Sequence, residues 1–304
     1  MKKYLICLVI ISIMVLIMAG CNNQLSNPKD GDFTIIDSIG NEVAFDKIPE
    51  RIIALQPGDV EIIYALGAGE KLVAIGTYSN YPEDTDNKKK VGSGQDTNLE
   101  EIIMLQPDVI FMGKMAQTEE HFIQLRDAGI KVVICDAQTI EDTYQTINFI
   151  GKIVNKSAEA EKIVNDMKLG FEELKSKAAT KTPVNLYVEV SPLQWGLWTC
   201  GKGTFIQEIF GLLNINNVFE DINGWAEVSE EIVIEKNPQY ILTIVGQSYG
   251  VNNSVNEILE RKNWSTIDAV KNKKVFLIDS DSSARPGPRL LDSAREIFEA
   301  VYGE

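Results

Sequence analysis

Histidine is almost absent from this 304-residue chain, which has a single one, His121. Zinc and manganese sites draw on imidazole and clustered carboxylates, and nucleophilic triads need a histidine base. Direct capture of a bare metal ion and triad hydrolysis are therefore both disfavoured. His121 itself, in the polar stretch 118–121, reads as a solvated helix residue. Cysteine is scarce as well, with four residues and no zinc-type spacing. Cys135 closes the apolar run 131–135 and Cys200 follows Trp198-Thr199, in different halves of the chain, which argues against a bridge between them. Basic residues are short: 29 Lys and Arg against 44 Asp and Glu give a net charge of −15. Such a surface repels nucleic acid and anionic headgroups. Nucleotide-binding loops are missing too. Gly201-Lys202-Gly203-Thr204 lacks the spacing of a phosphate loop, and residues 65–69 lack the dinucleotide pattern.

What is present begins at the N-terminus. Lys2 and Lys3 precede a stretch without charge from Tyr4 to Met18, and Ala19-Gly20 lead into Cys21. This is the layout of a secretory signal, and its end resembles a bacterial lipobox. It predicts a signal peptide over 1–20, a lipid on Cys21, and a polar tether over 21–32. Loss of Lys2 and Lys3 with the signal leaves 27 basic against 44 acidic residues, a charge of −17. An uncleaved anchor is the alternative. In both cases the bulk of the chain lies outside the cytoplasm.

Beyond a hairpin expected over Phe33–Phe45, short apolar runs alternate with helical periodicity. Strands are expected at 52–55, 72–75, 109–112 and 132–134, with helices at 60–66, 99–105 and 122–128. A second series follows: strands at 186–190, 240–245 and 275–278, helices at 205–212, 232–236 and 289–301. This alternation predicts parallel sheets covered by helices. Between the series, 141–177 holds no proline and spacings of three and four dominate among its apolar residues, which predicts one long helix. Two echoes link the halves. Glu100–Pro107 and Glu231–Pro238 each precede a strand, and Glu61–Leu66 matches Glu208–Leu213. Two lobes of similar fold are implied: 33–138 and 181–304, joined by a connecting helix over 139–180.

Several stretches carry a resemblance: Arg51–Ala68, Thr77–Pro82 with Val91-Gly92, Asn98–Glu100 and Gln106–Asp108, then Gly203–Glu208, Trp225 with Val228–Glu230, and Arg285–Arg289. In this order behind a lipobox they resemble the substrate-binding lipoproteins of ABC importers for cobalamin and ferric chelates, nearest the cobalamin branch. The resemblance implies an α/β fold of two Rossmann-like lobes joined by a single long α-helix, with ligand in the cleft between them. It implies no enzyme activity and no resident cofactor or metal. The implied cargo is a corrinoid or ferric chelate, delivered to a permease dimer with its ATPase subunits by a monomer anchored to the cell membrane. Trp225, Asp281 and Arg285 match the branch pattern, while Gly94 and Gly113-Lys114-Met115 depart from it. Tyr78, Tyr81, Trp195, Trp198 and Tyr249 are further ligand candidates, since loops at the carboxyl ends of parallel strands bind ligands and aromatic faces suit a planar macrocycle. Glu61 and Glu208 are implied to dock on the permease. A ferric siderophore or haem carrier is the alternative cargo reading; a sensory lipoprotein and a secreted enzyme are the alternatives by class.

Overall fold

The computed structural model describes residues 32–92, 96–114, 119–246 and 249–303. The expected signal peptide and Cys21 lie outside these residues, as do Gly94 and Met115. Phe33 with Ala44–Lys47 belongs to one small unit, in which the Phe33 and Phe45 rings stack at 4.9 Å. The other unit, Thr34–Val43 and Ile48 onward, holds both parallel sheets.

Its first lobe is a five-stranded parallel sheet in the order Lys90–Val91, Leu72–Gly76, Ile52–Ala54, Val109–Gly113, Lys131–Cys135. The central strands are near-continuous apolar runs, as strands covered on both faces require. Ile53, Leu55, Ile110 and Met112 form a core with Ile102 and Leu125 from the covering helices. The second lobe has a four-stranded parallel sheet, Ile215–Asn217, Val184–Glu189, Tyr240–Thr243, Val275–Leu277. Tyr187, Phe219 and Trp264 anchor its core. An antiparallel ribbon, Leu197–Cys200 with Trp225–Val228, sits beside it.

The two echoes reappear as equivalent backbone. Helices Leu99–Met104 and Glu230–Lys236 both stop just before a left-handed residue and a proline, Gln106 at φ 47° and Asn237 at φ 44°. Helices Pro57–Ala65 and Phe205–Leu212 likewise end near left-handed Gly67 and Asn214.

The connection differs from the expectation of one continuous helix. It is two helices, Ile140–Ile153 and Ser157–Ala178. Asn155 adopts φ 60°, its N–H bonds the Lys152 carbonyl, and the Lys156 N–H bonds the Gly151 carbonyl. That is a Schellman stop with asparagine in the left-handed position. The break packs the second helix against the first, with Gly151 so close to Ala160 that a Cβ at 151 would lie 2.5 Å from the alanine methyl.

Candidate functional site

A cleft of about 920 Å³ is lined by both lobes. From the first lobe it takes residues just beyond four strand ends: Gln56–Asp59, Thr77, Tyr78 and Asn80, Gly113-Lys114, and Cys135–Gln138. From the second come Trp195, Phe205, Trp225, Tyr249 and the segment around Ser280–Pro286. Parallel strands leave their carboxyl ends open for this purpose, and the volume is at the upper end of small-molecule sites.

The aromatic lining is organised in pairs. Trp225 meets Phe205 edge to face at 5.9 Å, and Trp195 meets Tyr249 at 6.3 Å. Tyr78 is 69% and Trp195 59% exposed, so large apolar faces are turned to solvent. Burial, with the Asp281 charge adding to it, pushes the Tyr249 phenol up, so it stays neutral. Six of the eight expected ligand residues line this cleft: Trp225, Arg285, Asp281, Tyr78, Trp195 and Tyr249. Tyr81 and Trp198 are set back from the lining. The Tyr81 ring lies 4.0 Å from the Arg289 guanidinium, and Trp198 Nε1 donates to the Trp195 carbonyl at 3.2 Å.

Arg285 is more deeply engaged than a free gripping group. Its Nη1 donates to Glu61 Oε1 (3.0 Å) and Asn80 Oδ1 (2.7 Å), and its Nη2 to the Tyr78 carbonyl (3.3 Å) and Asp281 (2.8 Å). Arg289 adds two bonds to Glu61, at 2.8 and 2.7 Å. Asn80 Nδ2 also donates to Asp281 at 2.8 Å. The result is a clasp between the lobes. Beside it Gly58 backs onto Pro286 so closely that a Cβ there would lie 2.8 Å from the Pro286 carbonyl oxygen.

This places the two expected docking acids differently from free surface carboxylates. Glu61 is 4% exposed beneath the two arginines. Glu208 is half-buried and accepts the Ile140 N–H at 2.7 Å, at the start of the connecting helices. Cys135 and Cys200 are both buried free thiols. Among the described residues no group of three His, Cys, Asp or Glu side chains is placed to hold a metal ion.

Residues that sequence reasoning passed over also line the cleft. Asp59 is 4% exposed and its Oδ2 has no hydrogen-bond partner; Thr146 Oγ1 is likewise unpartnered. Burial pushes the Asp59 carboxyl up to about 7, against a lowering contribution from the facing Cys135 thiol. The thiol is itself raised by burial and by Asp59, so it stays a protonated donor. The sequence signal was Gln56-Pro57-Gly58-Asp59 directly after a strand, where a helix start meets the sheet's open end.

A protein-family model described as periplasmic binding protein matches residues 52–282. The chain is 32% identical over 300 residues to the uncharacterized ABC transporter substrate-binding lipoprotein YvrC of Bacillus subtilis, covering 94% of this chain and 93% of that one. It is 31% identical to a vitamin B12-binding protein of Pectobacterium atrosepticum, over 82% of this chain and 88% of the other. The crystal structure of a possible iron-binding periplasmic solute-binding protein from Staphylococcus epidermidis superposes with a TM-score of 0.72 at 32% identity, covering 84% of this chain and all of that one.

Proposed function

Because the chain belongs to the periplasmic binding protein family, we propose that its cleft captures a metal chelate, a corrinoid such as cobalamin ahead of a ferric siderophore or haem, and delivers it to an ABC importer. The observation that carries this reading is the cleft itself: about 920 Å³, open, and faced with indole and phenol rings at the carboxyl ends of two sheets. A flat macrocycle buries a large apolar face against such rings. The vitamin B12-binding relative favours a corrinoid, and the possible iron-binding neighbour favours the alternative cargo. The working location is outside the cytoplasm, as a monomer held to the cell membrane by a lipid on Cys21.

Titration of the full chain with cyanocobalamin, haem and a ferric siderophore, read by tryptophan fluorescence, tests the reading. We expect tight binding of a chelate, and a loss of about 30-fold in Trp225→Ala, the scale of an aromatic hot spot worth about 2 kcal/mol. Tight binding of bare zinc or manganese with no response to any chelate would overturn it.

Docking on the permease is proposed through Glu61 and Glu208, one acid per lobe for a twofold partner. Glu61 differs from Glu208 in what it already holds. A permease arginine reaching Glu61 competes with Arg285 and Arg289, so docking there would loosen the clasp that closes one edge of the cleft. We therefore expect Glu208→Ala to lower uptake at unchanged chelate affinity, and Glu61→Ala to alter both. Uptake and binding measured on the same two variants check this. Normal uptake in Glu208→Ala would remove that residue from the docking pair.

A further inference from the structure

The charges around the cleft do not balance. Among the described residues five charged side chains line it: Asp59, Asp136 and Asp281, against Lys114 and Arg285. Both cations are already matched by acids. Lys114 Nζ lies 3.6 Å from Asp136, and Arg285 lies 2.8 Å from Asp281. Of these three acids Asp59 has no cation among the described residues, and its Oδ2 accepts no hydrogen bond from them. The groups around it supply no remedy. From the end of the Lys131–Cys135 strand the Cys135 thiol reaches it, and the helix Ile140–Ile153 contributes to the same lining Thr146, whose hydroxyl is unpartnered too. A buried acceptor left without a donor costs free energy, and a structure retains such a group where something else completes it.

We propose that Asp59, with Thr146 of the same lining, is the polar recognition point of the cleft and takes an N–H donor from the rim of the bound chelate, so that amide-rimmed ligands are selected over carboxylate-rimmed ones. This rests on the chelate-binding reading above and narrows it. Above pH 7, where Asp59 is ionised, a carboxylate rim would bring further negative charge to a lining that then carries one more acid than base. It would also face Asp59 with a second acceptor, leaving two desolvated oxygens opposed. A primary amide brings the missing donor, and its own carbonyl can accept from Thr146. Rejection of a ligand that leaves buried polar groups unpaired is the stronger form of discrimination available to a site.

The test uses two corrins of one macrocycle: cyanocobalamin, whose rim carries amides, and cobyrinic acid, whose rim carries carboxylates. Each is titrated into the full chain and into Asp59→Asn, with haem as a third probe. The wild type should bind the amide corrin at least tenfold more tightly than the carboxylate one, and that ratio should shrink in Asp59→Asn. Because the donor needs the ionised carboxylate of a group held at about 7, wild-type affinity for cyanocobalamin should rise about tenfold from pH 6 to pH 8. The variant should be flat over that range. Identical affinities and pH slopes in the two proteins would overturn the inference while leaving the chelate reading intact. Preference for haem over both corrins would do the same. Failure of every probe to bind the wild type would overturn both.

Discussion

Replacing Arg261 with methionine is expected to destabilise the protein by about 3–5 kcal/mol, the cost of stranding a buried charge. Arg261 donates to both oxygens of Glu189, at 2.8 and 3.1 Å, and its guanidinium lies 4.2 Å from the Trp264 ring. Glu189 is 2% exposed at the end of a central strand, with the Tyr187 hydroxyl 3.5 Å away. Burial pushes this carboxyl up even with the arginine in place. Without Arg261 it must either ionise unpaired or take up a proton. The loss should therefore shrink at low pH. A folded-state value raised above the unfolded one means that ionisation costs stability as pH rises past the ordinary carboxylate range. Melting temperature should fall by roughly 10 °C at neutral pH. The pair Glu189→Leu with Arg261→Met should recover more than half of the loss, since apolar replacement of a whole buried pair is often near neutral. A melting temperature for Arg261→Met within 2 °C of wild type would refute the account.

Much of this fold is written in local pattern. The strand at Val109 and the helix at Phe205–Leu212 appear where apolar period and turn residues put them. The echoes Glu100–Pro107 and Glu231–Pro238 carry their meaning in a single backbone feature, a left-handed residue just before each proline. The connection was misread because it holds no proline and the spacing of three and four resumes after Asn155, although it lapses between Val154 and Ala160. Periodicity records which face is buried, not whether the axis continues, and only the asparagine marks the Schellman stop. The ribbon of Leu197–Cys200 with Trp225–Val228 was also invisible, because its two strands are far apart in sequence and short. At the site, Trp225 was marked by its polar, turn-rich surroundings and lines the cleft, whereas Tyr81 and Trp198 do not. Glu61 was not legible as a clasp residue, because Arg285 and Arg289 reach it from more than two hundred positions away. Asp59 was missed for a related reason: next to Pro57-Gly58 an aspartate reads as an ordinary helix-start residue, and only the folded chain, with the Cys135 thiol facing it, shows that it is buried.

Asp59→Asn is expected to be more stable than the wild type at neutral pH and nearly equal to it at pH 4. An acid raised from 3.8 to about 7 keeps its proton in the folded state over that window, where the unfolded chain has already lost it. The folded state then binds more protons, so stability falls as pH rises from about 4 to about 7, by about 1.4 kcal/mol per unit and on the order of 4 kcal/mol in all. Asparagine has the same shape, can still accept from the Cys135 thiol, and does not ionise. The difference between variant and wild type, followed by denaturant titration at several pH values, isolates this one group from every other titration in the molecule. A difference that does not change with pH would show that Asp59 ionises normally, and so that the cleft does not hold it desolvated. Excess cyanocobalamin in the same experiment should flatten the wild type's fall with pH, because a ligand donor favours the ionised form and binding adds stability by mass action. A residue that weakens the empty protein at neutral pH and strengthens the loaded one is the pattern of a group kept for its ligand rather than for the fold.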